Sequence, residues 1–218
     1  MKLSLKNELP AVIIALIPVL YLYFAWNNLP EEVPIHWNFK GEIDRWGSRE
    51  ELLTMTLLLP LGTYLLFLII PKIDPKGKIK NMGKKYDQFK FLFVFFMSVI
   101  AFVLIYSAKN LEQNTINLIY IVLGLLFIFL GNYFQTIKHN YFIGIRTPWT
   151  LENETVWKDT HKLGGKLFFF GGMLIIVLSF LFEREIFSKI FLVIILAITL
   201  ISVIYSYIRF QQIKKNTE

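Results

Sequence analysis

Cysteine is absent from the 218 residues, which removes disulfides, a thiolate nucleophile and any cysteine-based zinc site together. Charge is scarce as well: 18% of the residues are charged, against roughly a quarter in soluble domains, while 55% are apolar and 17% aromatic. Only three histidines occur, His36, His139 and His161. No nucleophilic serine elbow, phosphate-binding glycine loop or paired-acid signature is present. Too little charge for a soluble domain points to lipid as the solvent.

Stretches without Asp, Glu, Lys or Arg run over residues 9–26, 52–71, 91–108, 116–134, 167–182 and 190–208. A bilayer core of about 30 Å needs close to twenty helical residues at about 1.5 Å each, so these stretches predict six transmembrane helices. The fold class expected is all-α integral membrane. The fifth stretch is short, and its helix is expected to begin earlier, near Gly164, with Lys166 reaching back to the headgroups. The first stretch is too long, and too poor in small residues at its end, for a cleaved signal peptide.

The net charge of +7 is explained by its distribution rather than by a nucleic-acid partner. If the N-terminus is inside, seventeen of the 23 basic residues fall on cytoplasmic segments and six on outer loops. This bias predicts a multi-pass cell-membrane protein with both termini cytoplasmic. Seven lysines between Lys72 and Lys90 oppose only Asp74 and Asp87; they read first as a topology signal and second as a surface for anionic lipid. An N-terminal two-span unit, 1–90, and a four-span unit, 91–218, are expected within what reads as one membrane domain.

Two loops exceed what a helix hairpin needs and hold most of the polar chemistry. In the outer one, 27–51, Val33, Ile35, Trp37 and Phe39 alternate with Pro34, His36 and Asn38, Gly41 offers a turn and Ile43 opens a second run. That pattern predicts a short β-hairpin with an edge proline. Trp26, Trp37 and Trp46 suit the membrane interface, and the acidic balance favours a cationic or amphipathic visitor. The inner loop, 135–166, contains "TPWTLENETVWKDTHKLGG", which has the grammar of a short helix. Thr150 is the expected N-cap, Glu152 and Glu154 occupy the positive first turn, and Gly164 with Gly165 stop it. Glu154, Trp157 and His161 share one face, and Glu154 is spaced to pair with Lys158. "NYF" occurs at both 132–134 and 140–142, as if anchoring a re-entrant or interfacial segment.

The three histidines cannot meet, because this topology puts His36 across the bilayer from the other two. A site of His139, His161 and Glu154 lacks the tight spacing of zinc motifs, and neither metal nor cofactor is expected. For an inner-leaflet hydrolase, His161 would serve as general base toward Thr160 or Thr147, oriented by Glu154 or Asp159. A transporter is a third reading, weakened because all six stretches lack an ionisable residue.

Residues 131–172, "GNYFQTIKHNYFIGIRTPWTLENETVWKDTHKLGGKLFFFGG", resemble the signature of the SdpI-type membrane proteins, a family named for immunity to a secreted peptide toxin. Residues 29–48, "LPEEVPIHWNFKGEIDRWGS", resemble the domain of unknown function that commonly precedes that signature. The motif falls on Asn132, Lys138, Asn140, Arg146, Thr147, Pro148, Trp149, Thr150, Trp157, Thr160, His161 and Gly164, with Glu154 on the same helical face. The resemblance implies protection from a membrane-active toxin and, in the founding system, recruitment of a cytoplasmic transcriptional repressor. Arg146, Trp149, Trp157 and His161 are then expected to face the cytoplasmic protein. Pro34, His36, Trp37, Gly41, Asp44 and Trp46 are expected to face the toxin.

Overall fold

A computed structural model of the chain describes residues 5–38, 40–110 and 115–216. Phe39, expected to extend the first strand, lies outside them. Backbone polar groups have no water to bond in hydrocarbon, and a helix satisfies them internally. Among the described residues six helical stretches are accordingly long and apolar enough to cross a membrane: Glu8–Asn28, Arg49–Ile73, Lys84–Asn110, Asn117–Phe134, Glu154–Leu181 and Arg184–Lys215. The all-helical class and the six spans read from the sequence are both borne out.

The elements in chain order are α1 (Leu5–Ala25), β1 (Glu32–Trp37), β2 (Ile43–Ser48), α2 (Arg49–Leu57), α3 (Thr63–Ile73), α4 (Lys84–Asn110), α5 (Thr115–Phe134), α6 (Pro148–Glu152), α7 (Glu154–Leu181) and α8 (Arg184–Lys215). A π-helical turn, Leu58–Gly62, joins α2 to α3 in one span and accommodates Pro60, which has no N–H to give. Two compact units result. One holds α1 to α3, α4 and the start of α5; the other holds residues 74–82 and the chain from Leu123 onward.

In the first unit β1 and β2 form an antiparallel hairpin, Glu32 opposite Ser48 and Trp37 opposite Ile43, with irregular register around His36. Gly41 turns the chain at φ 76°, a left-handed conformation that favours glycine. The alternation read in β1 is what seats it. Val33, Ile35 and Trp37 join Leu22, Leu29, Leu52, Leu104, Ile105 and Ala108 in one apolar cluster. Far along the same helices, the Lys90 ammonium lies 2.7 and 2.8 Å from the two carboxylate oxygens of Glu8, and the Tyr64 hydroxyl donates to that carboxylate at 2.9 Å. Lys90 is 1% exposed and Glu8 8%. The expectation that the spans hold no ionisable group is therefore corrected. Both residues fall just beyond the charge-free runs yet inside the helices that continue them.

In the second unit α5 and α7 approach with backbone against backbone. A Cβ on Gly131 would lie 2.6 Å from the Gly165 carbonyl oxygen, and one on Gly165 would lie 2.7 Å from that of Gly131. One on Gly124 would lie 2.9 Å from the Gly172 oxygen, and the reciprocal contact is closer still. Two glycine pairs, seven residues apart on each helix, thus allow a contact no other residue permits. Two expectations for this region are corrected: Gly164 and Gly165 end nothing, and the fifth span begins at Glu154 rather than near Gly164. A glycine stops a helix only when nothing repays its lost entropy, and here the neighbouring helix does. α7 is fastened to α8 by Arg209, whose Nε donates to the Asp159 carboxylate at 2.6 Å.

Candidate functional site

The signature loop between α5 and α7 is irregular over residues 135–147, so its backbone groups need partners from side chains. Asn140 supplies four of them. Fully buried, it donates from Nδ2 to the carbonyls of Lys138 at 2.9 Å and Ile143 at 3.0 Å. Its Oδ1 accepts from the N–H groups of Phe142 at 2.8 Å and Ile143 at 2.7 Å. All four of its hydrogen-bonding positions are used on the loop itself.

The loop then enters α6 through a cap, but not at the expected residue. Thr147 is the N-cap: its hydroxyl accepts from Thr150 N–H at 3.2 Å, while the Thr150 hydroxyl accepts from Thr147 N–H at 2.9 Å. Pro148 occupies the first turn, where a missing N–H costs nothing. The Thr147 hydroxyl also meets Ser206 of α8 at 3.0 Å, which ties the cap to the bundle. The single expected helix is in fact two, because Asn153 breaks α6 and caps α7, accepting from Thr155 N–H at 2.8 Å and Val156 N–H at 3.1 Å.

On α7, Glu154, Trp157 and His161 do share a face, and a second aromatic layer meets it. The Trp157 and His161 rings stack at 4.0 Å, and His139 meets Trp157 edge-on at 5.0 Å. Trp157 Nε1 donates to the Ile137 carbonyl at 3.0 Å. His161 Nδ1 donates to the Trp157 carbonyl at 2.8 Å, and Nε2 accepts from Ile145 N–H at 2.9 Å. That pattern fixes the neutral tautomer and uses both ring nitrogens. Gly144, at φ 114°, sits directly over the ring; any Cβ there would strike Nε2. His161 consequently has no nitrogen left for a proton from Thr147 or Thr160, or for a metal. Among the described residues no group of three His, Asp or Glu side chains is placed to hold a metal ion.

The Lys78 ammonium lies 2.5 Å from His139 Nδ1 and hydrogen-bonds to it. Burial first, and the Lys78 charge second, hold the His139 imidazole below its ordinary value of 6.5, against the opposing pull of the Leu151 and Thr150 carbonyls and Glu154. The Tyr141 hydroxyl accepts from the Lys76 ammonium at 2.8 Å, which lowers its pKa. Arg146 donates to the Tyr141 carbonyl at 2.8 Å while its side chain remains exposed. The expected Glu154–Lys158 pair does not form; Glu154 turns toward His139, 3.9 Å from Nδ1.

Of the signature positions, Asn132, Lys138, Arg146, Pro148 and Glu154 are exposed and Trp149 is half-buried against Tyr207 of α8. Asn140, Thr147, Thr150, Trp157, Thr160, His161 and Gly164 are buried. The expectation that Trp157 and His161 are presented to another protein is corrected, since each is only 1% exposed. At the hairpin, His36, Asp44 and Trp46 are exposed, with His36 Nδ1 2.6 Å from the Asp44 carboxylate, whereas Pro34, Trp37 and Gly41 are buried. Also in the first unit, a cavity of about 640 Å³ is lined by Val19, Tyr23, Phe24, Trp26, Asn27 and Leu53. Sequence reasoning passed over Gly144 and Ser206, and read Lys78 only as one of the basic run between Lys72 and Lys90. Only Gly144 carried a local signal, as a glycine placed between β-branched residues.

Residues 136–208 match the SdpI/YfhL protein family, and residues 13–59 match a domain of unknown function, DUF1648. The chain is 28% identical over 203 residues to Immunity protein SdpI of Bacillus subtilis (strain 168), covering 93% of this chain and 95% of that protein. It is also 36% identical over 85 residues to an uncharacterized protein of Archaeoglobus fulgidus, covering 38% of this chain and 43% of the other. No solved structure matches. The resemblance carried by the two loop motifs is borne out.

Proposed function

We propose, from a chain that carries the SdpI/YfhL family segment, that this multipass membrane protein gives immunity to a secreted, membrane-active peptide toxin. The alignment with Immunity protein SdpI across nearly the whole of both chains carries the reading. Physical support comes from the first unit. Phe24 and Tyr23, in the wall of that cavity, are 78% and 75% exposed, and Trp46 is 47% exposed on the hairpin. Aromatic side chains of this kind hold an amphipathic peptide at a membrane interface.

The basic-residue bias orients the protein with both termini cytoplasmic, so that the hairpin meets toxin outside and the signature loop lies inside. There the loop offers Lys138, Arg146, Pro148 and Glu154 to a cytoplasmic protein, with a transcriptional repressor as the partner. The buried Asn140, Thr147, Thr150, Trp157 and His161 keep that surface in shape.

The test is survival of a toxin-sensitive bacterial strain expressing the protein. Wild type should raise the tolerated concentration of the peptide, and Tyr23→Ala/Phe24→Ala should lose most of that protection at unchanged membrane abundance. Equal killing with and without the wild-type protein would reject immunity to that peptide. A repressor captured at the membrane by wild type and released by Arg146→Ala would support the signalling step, and retention by that variant would assign it elsewhere.

A further inference from the structure

The second unit contains a cavity to which the immunity reading gives no ligand, although Lys138 and Glu154 of its wall also belong to the surface proposed for a cytoplasmic protein. About 460 Å³ in volume, it is walled by Lys78 and Asn81, by residues 135–139 immediately after α5, and by Glu154, Trp157 and Lys158 in the first turns of α7. Three lysines from three segments line it: Lys78, Lys138 and Lys158.

None of the three is neutralised by a carboxylate. Lys78 bonds to the His139 imidazole, and Lys138 donates to the Asn81 carbonyl at 3.2 Å. Each of those ammonium groups retains further N–H donors. Lys158 is exposed and makes no hydrogen bond or ion pair with any described residue. Glu154 is the one acid in the wall, its carboxylate 3.9 Å from His139 Nδ1 and its side chain 71% exposed.

Several separated N–H donors around one cavity suit a tetrahedral oxyanion better than a planar carboxylate, and a volume this large admits more than a bare ion. The cavity also lies directly beyond the end of α5 and beside the start of α7, the depth at which spanning helices meet headgroups.

We propose that this cavity binds a phosphate-bearing anion, held by the ammonium groups of Lys78, Lys138 and Lys158. The anion is either the headgroup of an anionic phospholipid or free phosphate. This assignment is independent of toxin immunity.

The full chain, purified and delipidated in detergent, is titrated with phosphatidylglycerol by native mass spectrometry and with inorganic phosphate by calorimetry. Wild type should bind at least one of them, and more weakly as salt rises. Lys78→Gln/Lys158→Gln should weaken that binding at least tenfold at an unchanged melting temperature. Lys189→Gln, the same loss of charge at an exposed site far along the chain, should bind as wild type does. Phosphate competing with the lipid identifies a site for the phosphate group itself; lipid binding without that competition identifies the headgroup as ligand. If the double variant does not fold, Lys158→Gln alone decides, since its side chain holds nothing in place. No binding of either probe by wild type, or equal binding by the lysine variants, would overturn the proposal.

Discussion

Asn140 illustrates how one amide can hold a loop whose sequence has no regular structure to offer. Its four hydrogen bonds replace ladder bonds that residues 138–143 do not make. Each such bond contributes about 1 kcal/mol net, and buried carbonyls and N–H groups left unpaired cost more. Asn140→Ala should therefore lower unfolding stability by about 2–4 kcal/mol. Asn140→Asp should fall in between, keeping the acceptors and losing both donors. Denaturant unfolding in detergent would measure both, and an alanine variant as stable as wild type would show that water replaces the side chain. His139 gives a second expectation at this scale. Its folded pKa lies below the ordinary 6.5, so the unfolded chain takes up the proton first as pH falls. The protein should lose stability as pH drops below about 6.5, over the window down to the depressed folded value. In His139→Gln that loss should be shallower, and identical pH profiles of melting temperature would place His139 outside the linkage.

Among helices, the glycines of α5 and α7 invert the usual arithmetic. Gly→Ala in an ordinary helix interior gains about 1 kcal/mol. At Gly131 the added methyl would lie 2.5 Å from the backbone N of Phe169, where no rotamer change gives relief. Gly131→Ala should instead destabilise by about 1–3 kcal/mol, the cost of forcing two packed surfaces apart. Thermal unfolding compared with Gly77→Ala, where nothing lies nearby, separates crowding from backbone strain. This packing was legible in principle. Gly124 and Gly131 share a seven-residue spacing with Gly165 and Gly172, but a glycine beside a polar helix also reads as a stop signal, and only the partner helix decides. The hairpin was more legible, because strand alternation and the Gly41 turn are local properties of a few residues. The Glu8–Lys90 pair was not legible at all. Its partners are 82 residues apart, and each looked like the polar boundary of a separate apolar run. Thr147 displaced Thr150 as cap for a reason of the same kind, since its hydroxyl is also claimed by Ser206 on α8.

At the scale of the whole molecule, the proposed orientation draws on two properties, apolar length for the number of crossings and the placement of basic residues for their direction. If all six candidate helices cross, the ends of the chain share one side and residues 27–51 and 135–153 face opposite sides. Seventeen basic residues against six are the ground on which we propose that the signature loop is then cytoplasmic. The absence of cysteine makes this directly measurable, because a single introduced thiol labels without background. Glu31 and Glu152 are both exposed and neither supports the fold through a hydrogen bond or ion pair. In intact cells a membrane-impermeant maleimide should label Glu31→Cys and spare Glu152→Cys, and permeabilisation should expose the second. Labelling of both from outside would mean that one of the six helices does not span, and the charge bias would then have to be redistributed over an odd number of crossings. Labelling of Glu152→Cys alone would invert the protein, setting seventeen positive charges on the outer face against the strongest rule that orients such chains. The immunity reading would then have to place the toxin at the signature loop rather than at the hairpin.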